Sequence, residues 1–219
     1  MLGRNHFICA SSILFTMTTT HIVFDRVRTG IIDNFWGLNP KYLSFFQTID
    51  SKIWSFLGFT DDFSSSLPLL FLLSFVCALF GTLCTDCDSK SSIIGRYVYV
   101  PVGHRTWTHA IYVPLFCFIV GQSIVPIAWF GLGWLIHEIM DAFSYEGNAF
   151  LYPFVGYNKF GQAKVKKGIH ICKFYRCGKT SEKIFVSIVI AICILVCLLF
   201  LAAPHFYIDI IGEGYGILS

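Results

Sequence analysis

Four long stretches without Asp, Glu, Lys or Arg constrain this chain more than any other feature of its sequence. A transmembrane helix needs about 20 predominantly apolar residues, and each stretch is close to that length or longer. Only 13% of the 219 residues are charged, whereas globular domains average about 25%. We therefore predict an integral membrane protein, with its apolar segments drawn from residues 5–24, 67–84, 106–137 and 184–208.

The lengths of these stretches indicate how many helices each one holds. Residues 67–84 are just long enough for one span, and residues 184–208 are the most aliphatic part of the chain. A single helix over residues 106–137 would be about 48 Å long, which exceeds the bilayer core. Because Pro126 interrupts it, we predict a hairpin of two helices, residues 108–125 and 126–143. The first stretch is compatible with a retained membrane helix, an interfacial helix or a cleaved signal.

The distribution of Lys and Arg predicts an orientation. Residues 148–183 contain eight of them and residues 85–105 contain three, whereas the tail after Pro204 has none. The positive-inside rule then places both loops in the cytoplasm. The net charge of +3 gives no reason to expect a nucleic-acid partner. We predict an all-α, multi-pass bundle in the cell inner membrane, divided into an N-terminal segment of uncertain topology (1–66), membrane helices (67–153), a basic loop (154–183) and a C-terminal helix with a short tail (184–219).

Ionisable residues stand within or beside these apolar runs, where they are costly unless they face a cavity or a partner. His137 and Asp141 have an i, i+4 spacing, so on a helix they share one face and could bind one metal ion. A hydrogen bond between them at a helix end is an equally good explanation. Glu138 points away from that face, and we expect it to be solvated or at the headgroups.

A second motif, Asp86-Cys87-Asp88, follows the end of the predicted span 67–84. Two carboxylates in an irregular turn can approach one cation, and hard oxygen ligands suit magnesium, manganese or a mixed zinc site. A plain polar loop would have the same sequence. The two acidic side chains therefore become informative only in combination with other motifs.

The third motif runs from His104 to His109 and begins the predicted hairpin. The two histidines are five residues apart, so they do not share a helical face. Arg105 suits an oxyanion such as phosphate, although it could equally be a positive-inside anchor, and His109 could be an interfacial hydrogen-bonding residue. In the hairpin topology all three motifs reach the same cytoplasmic interface, which favours one shared site.

These motifs, in this order, resemble a YdjM-like family of inner-membrane-associated metal-dependent hydrolases. The family pattern continues with a Gly and a Tyr-Pro, and it differs here in having Thr85 where Pro is usual and Trp107 where a small residue is common. The resemblance is carried by Thr20-His21, by Gly81 to Asp88 with Ser91 and Ser92, by His104 to His109, and by Gly133 to Asp141 with Gly147, Tyr152 and Pro153.

The resemblance implies a function and a set of site residues. The family looks distantly similar to zinc-dependent phospholipase C and P1 nuclease, which implies that metal-activated water attacks a phosphoester or lipid-like substrate. Membrane lipids are then the expected surroundings, and zinc the expected metal, with manganese or magnesium as alternatives. An ion or metal transporter and a purely structural polar cluster remain the competing functions. The implied metal ligands are His21, Asp86, Asp88, His109, His137 and Asp141, with His104 and Arg105 orienting substrate or stabilising charge.

Overall fold

A computed structural model describes residues 3–28, 40–57, 68–154 and 172–215 of the chain. Within those residues the regular structure is helical, as predicted, and two short 3₁₀ turns, Thr85–Asp88 and Trp107–His109, interrupt the path between the helices. Much of the predicted basic loop, residues 155–171, lies outside the described part of the chain. The helices are α1 (Gly3–Arg28), α2 (Pro40–Phe56), α3 (Pro68–Cys84), α4 (Tyr112–Gly121), α5 (Val125–Ala142) and α6 (Thr180–Tyr215).

In the described part of the chain, three segments are long and apolar enough to cross a membrane: Gly3–Phe24, Leu69–Asp88 and Thr180–Phe200. The second and third of these segments overlap most of the predicted spans 67–84 and 184–208. The first stretch, which the sequence left open, is a continuous helix that packs against α6. Its hydroxyl groups are compatible with an apolar environment because they bond to carbonyls within the helix, as Thr16 Oγ1 does to Ser12 O at 2.8 Å and Thr18 Oγ1 does to Leu14 O at 2.9 Å.

The closest helix pairing, between α3 and α5, depends on glycine. A Cβ at Gly133 would stand 1.7 Å from the carbonyl oxygen of Ala78, and one at Gly81 would stand 2.1 Å from that of Phe130. Small residues let two backbones approach in this way, and membrane helices use them commonly. Thr82 joins the same contact because its hydroxyl donates to Gly133 O at 3.0 Å. This contact fixes the end of α3 beside the end of α5.

The predicted hairpin exists, but its first helix is shorter than predicted. It begins at Tyr112 instead of residue 108, and it ends at Gly121 instead of residue 125. Ten residues rise about 15 Å, half of a bilayer core, so α4 does not span. The reason is local: Thr108 and His109 are held in a 3₁₀ turn by partners on α5 and on the preceding loop.

Both ends of the bundle are fastened by polar contacts. At one end Asn5 of α1 donates to Glu182 of α6 at 2.6 Å. At the other end α2 closes the turn between α4 and α5, where the Trp129 indole donates to Leu57 O at 3.2 Å. The end of the bundle where Asn5 contacts Glu182 holds the amino ends of α1 and α6 and the carboxyl ends of α3 and α5. The three sequence motifs meet at that end.

Candidate metal centre

Two imidazoles and two carboxylates from three elements converge at the motif-bearing end of the bundle. His109 Nε2 lies 3.6 Å from Asp86 Oδ1 and 3.4 Å from Asp141 Oδ2. His137 Nε2 lies 3.5 Å from the same Asp86 oxygen and 3.7 Å from the same Asp141 oxygen. All four side chains are buried. We call these four residues the His–Asp cluster.

The spacing of these atoms is that of ligands around one cation. Nitrogen and oxygen atoms at 3.4–3.7 Å are too far apart for good hydrogen bonds. Four ligand atoms at about 2.1 Å from a tetrahedral zinc ion stand about 3.4 Å from one another. In addition, the Nε2 atoms of His109 and His137 are buried with no hydrogen-bond partner. The donor set, the spacing and the two unsatisfied nitrogens therefore fit a divalent metal.

The opposite nitrogen of each imidazole is held by the protein, which sets its tautomer. His137 Nδ1 lies 2.8 Å from the carbonyl oxygen of Thr82, which can only accept a hydrogen bond. His137 therefore carries its proton on Nδ1 and presents the Nε2 lone pair to the cluster. His109 Nδ1 lies 3.0 Å from Thr108 Oγ1, whose own proton goes to Asp88 Oδ2 at 2.5 Å. Such outer partners orient histidine ligands in metal sites.

Asp88 is not a member of the His–Asp cluster but contacts the loop residues next to it. One carboxylate oxygen accepts from the Thr108 hydroxyl and from the Arg105 backbone N–H, which is 3.0 Å away. The other oxygen lies 2.7 Å from His104 Nδ1. Both oxygens are thus committed to the loop that carries His104 and His109. The sequence placed Asp88 among the metal ligands, whereas its contacts are those of a residue that supports the ligands.

Arg105 is buried and bound on every side. Its guanidinium lies 3.2 Å from Asp141 Oδ1 and donates to Gly147 O at 2.7 Å and to Ser144 Oγ at 3.3 Å. Burial lowers the pKa of Arg105, but the Asp141 carboxylate outweighs it and the pKa is raised. The backbone of Arg105 has φ 61°, a left-handed conformation that is costly for a residue with a side chain. These contacts hold Asp141 and the loop after α5 in place.

His6 is a member of the site that the sequence analysis missed. Its ring stacks on that of His137, with centroids 3.6 Å apart and planes within 6°. Its Nε2 lies 3.3 Å from Asp141 Oδ1, and neither ring nitrogen has a hydrogen-bond partner. One ligand atom from each of His6, His137 and Asp141 lies within 4.8 Å of the others. A lone histidine near the start of the chain has no motif around it that could have identified it.

The model of the YdjM inner membrane protein family matches residues 65–205. This range covers more than half of the chain and includes all three motifs. The chain belongs to the YdjM inner membrane protein family. No curated protein and no solved structure matches it, so the expected likeness to zinc-dependent phospholipase C and P1 nuclease has no support.

Membership in the YdjM family, together with the apolar helices, supports a location in the membrane. The matched range includes each member of the His–Asp cluster, as well as Asp88, His104 and Arg105. It leaves out α1, which supplies His6. Part of the site in this YdjM protein therefore comes from a segment that the family model does not cover.

His21, which the sequence analysis grouped with the ligands, is not brought to the cluster. It lies 15 residues after His6 on α1, a rise of about 22 Å. Its Nδ1 is 2.6 Å from Asp50 Oδ2 on α2, and its ring stacks on Trp54 with centroids 4.1 Å apart. In this YdjM protein His21 therefore joins α1 to α2 at the far end of the bundle.

Glu138 corrects a second expectation, because it is fully buried instead of solvated. The Asn148 amide, on the loop after α5, donates to the backbone carbonyl of Glu138 at 3.2 Å. Neither carboxylate oxygen has a hydrogen-bond partner. The prediction failed because the surrounding loops cover α5 on more than the one face that the motif marked.

Proposed function

We propose that this YdjM-family protein is a membrane-bound, metal-dependent hydrolase that acts on a phosphoester. The observation that carries the proposal is the cradle of four ligand atoms from Asp86, His109, His137 and Asp141. A purely structural set of His–Asp pairs would close to hydrogen-bonding distance. Here the atoms stay at the separation that a shared cation requires, although the side chains are buried.

Zinc is the metal that the donor set favours. Two imidazoles and two carboxylates suit zinc or manganese, whereas magnesium prefers oxygen ligands and retains several waters. His6 would add a third imidazole at the Asp141 side of the cradle. A bound divalent ion would polarise the substrate phosphoryl oxygen and lower the pKa of a water molecule.

His104 would move the proton in this reaction. It is the exposed member of the group, with 47% of its side chain accessible, and its Nδ1 faces the Asp88 carboxylate at 2.7 Å. The carboxylate holds the proton on Nδ1 and leaves Nε2 free to accept one from water and later to give it to the leaving group. One ligand atom of His104 lies within 4.8 Å of Asp86 and His109, so this base stands at the edge of the cradle.

Arg105 would act as a positioning residue. Its guanidinium is occupied by Asp141, Ser144 and Gly147, which leaves it poorly placed to contact a substrate. It neutralises part of the negative charge of Asp141 and fixes the carboxylate toward the two imidazoles. This role differs from both the oxyanion contact and the positive-inside anchor that the motif left open.

Metal content is the measurement that tests the proposal. We expect the detergent-purified protein to hold near-stoichiometric zinc or manganese by mass spectrometry, and Asp86→Asn and His137→Ala to lose it. The matched controls are Asp50→Asn and His21→Ala, which alter a His–Asp pair of the same type at the far end of α1. Hydrolysis of a soluble aryl phosphodiester should follow the metal content across all five proteins.

Two results would overturn the proposal in different ways. A folded wild type that binds no metal after reloading would mean that the cluster only holds the helices together. A protein that binds metal but cleaves no phosphodiester or monoester would leave a metal site without the hydrolase. Circular dichroism of each variant separates loss of metal from loss of fold.

A further inference from the structure

The candidate site opens on the side of His104. The members of the His–Asp cluster and His6 are at most 7% exposed as whole residues, whereas the His104 side chain is 47% exposed. A substrate must therefore approach past His104 and the loop that carries it. We call this approach the mouth of the site.

Large exposed apolar side chains lie on the loop that carries His104 and on the turn packed against it. Trp107, in the same 3₁₀ turn as His109, is 52% exposed, and its ring meets that of Tyr152 with centroids 5.1 Å apart. Leu151 and Phe154 flank Tyr152 and are 47% and 82% exposed. A hydrogen bond of 3.0 Å from Ile111 N to Phe150 O joins this turn to the start of α4. We call Trp107, Leu151 and Phe154 the rim.

Exposed apolar side chains continue from the rim along α4. The outer face of α4 begins three residues after His109 and exposes Tyr112, Leu115, Phe116 and Ile119. A polar mouth would suffice for a substrate that arrives from water. Exposed apolar groups cost about 25 cal/mol per Å² in water, so a contiguous patch of them indicates a partner. The partner that meets α4 in a membrane protein is lipid.

Cations paired with aromatic rings lie at the same end of the bundle. Lys90 follows Asp88 by two residues, and its ammonium stands 4.8 Å from the centre of the Tyr99 ring. Tyr145 follows Asp141 by four residues. The charged groups of Lys173 and Arg176 stand 5.2 Å and 4.6 Å from the centre of its ring. Aromatic rings beside Lys and Arg are typical of the headgroup layer, where the cations attract anionic lipids. These cations and the apolar rim are therefore both suited to the headgroup layer of a membrane.

We propose that the rim inserts into the headgroup layer of a bilayer that contains anionic phospholipid, so that the mouth receives a phospholipid headgroup directly from the plane of the membrane. This proposal rests on the hydrolase function and names its substrate class. The phosphodiester would reach the cradle past His104 while the acyl chains stay against Trp107, Leu151 and Phe154.

Tryptophan fluorescence tests the contact without reference to activity. Trp107 is the exposed tryptophan among the four that the structure describes, since Trp54, Trp129 and Trp134 are buried. With Trp36 replaced by Phe in every protein compared, brominated phosphatidylglycerol in proteoliposomes should quench the emission, and Trp107→Phe should remove most of the quenched component. Trp54→Phe is the matched control and should leave it. Equal quenching of wild type and Trp107→Phe would overturn the proposal.

Activity on two substrates separates this proposal from the function on which it rests. We expect Trp107→Ser to lower the ratio of phosphatidylglycerol hydrolysis in vesicles to soluble aryl diester hydrolysis at least tenfold, with Leu151→Asn as a second variant. Cleavage of the soluble diester with an unchanged ratio would overturn lateral entry and leave the hydrolase. Bromolipid quenching at Trp107 without hydrolysis of either substrate would overturn the hydrolase and leave the membrane contact.

Discussion

The two ends of α1 each bring a histidine to an aspartate, and the two arrangements differ in one decisive way. At the far end, His21 Nδ1 and Asp50 Oδ2 are 2.6 Å apart, and the pair is complete as a hydrogen bond. At the motif-bearing end, His6 joins a cluster in which His109 and His137 face the carboxylates at 3.4–3.7 Å. Both ends are buried against aromatic or imidazole rings. Distance, and not residue type, distinguishes them.

This difference separates a histidine that links helices from one that could bind a metal. A linking pair satisfies itself, so its energy is that of a single charged hydrogen bond. At the motif-bearing end, the Nε2 atoms of His6, His109 and His137 are buried and unsatisfied, which is costly without a cation. Substitutions at the two ends should therefore affect different measurements.

The largest effect is expected from Asp141→Asn. The substitution removes the carboxylate that faces His6, His109 and His137 and leaves the buried Arg105 without its anionic partner. We expect metal content to fall below about one-tenth of wild type, and the free energy of unfolding to fall by about 3–5 kcal/mol because of the unpaired cation. Mass spectrometry and thermal unfolding in detergent measure the two effects. Full metal content in Asp141→Asn would contradict the comparison.

The pH dependence of the metal-free protein should show the next largest effect. Burial lowers the pKa of His109, but Asp141 and Asp86 outweigh it and raise the pKa from 6.5 to about 9. Because protonated His109 is favoured in the folded state, it adds about 3 kcal/mol to the free energy of unfolding below about pH 6.5. This contribution is lost as the pH rises through about 9. The unfolding midpoint of chelator-treated protein should therefore decrease over that interval.

His109→Gln is the control for this titration and should lack that decrease. In metal-loaded wild type the decrease should also be absent, because a ligand imidazole has already given up its proton. A midpoint that rises from about pH 6.5 to about 9 in chelator-treated wild type, relative to His109→Gln, would reverse the sign and disprove the electrostatic account of the cluster.

His6→Ala should have a smaller effect that separates the two ends most directly. Loss of an imidazole at the edge of the cradle should weaken zinc binding about 10–100-fold, the range found for groups that support metal ligands. Competition with a chelating dye measures the dissociation constant. His21→Ala, on the same helix, should leave that constant within about twofold of wild type. Equal weakening by both variants would mean that α1 acts only through packing.

The smallest effect is expected from His21→Ala on stability. The variant loses one charged hydrogen bond and the stacking on Trp54, which together contribute about 1–3 kcal/mol. Thermal unfolding should show this loss at full metal content. A loss of metal from this variant would extend the site to the far end of α1 and contradict the distance argument.

The sequence was sufficient for two of the three candidate spans and for the four members of the His–Asp cluster, whereas it left residues 5–24 open and made the first hairpin helix too long. Long charge-free runs specify membrane helices because the bilayer excludes charge. The i, i+4 spacing of His137 and Asp141 specifies a shared face on α5. Placing Asp86 and His109 beside that face required only the hairpin topology. These inferences depend on local periodicity, which a sequence displays directly.

Other parts of the site could not be predicted because they depend on packing between distant segments. His6 has no motif around it and reaches His137 only because α1 packs between α3 and α6. The Thr20-His21 motif marked a different histidine, which lies about 22 Å further along α1. The commitment of Asp88 to Thr108, and of Arg105 to Gly147, results from loop paths that sequence spacing does not encode.

The hydrogen bond between Asn5 and Glu182 has a consequence for how the protein is made. The two residues are 177 positions apart, so α1 is synthesised long before its partner α6. While the chain is growing, α1 has no Glu182 to hold its amino end. The contact that holds the amino end of α1, and with it His6, beside His137 is therefore completed only after α6 has been synthesised.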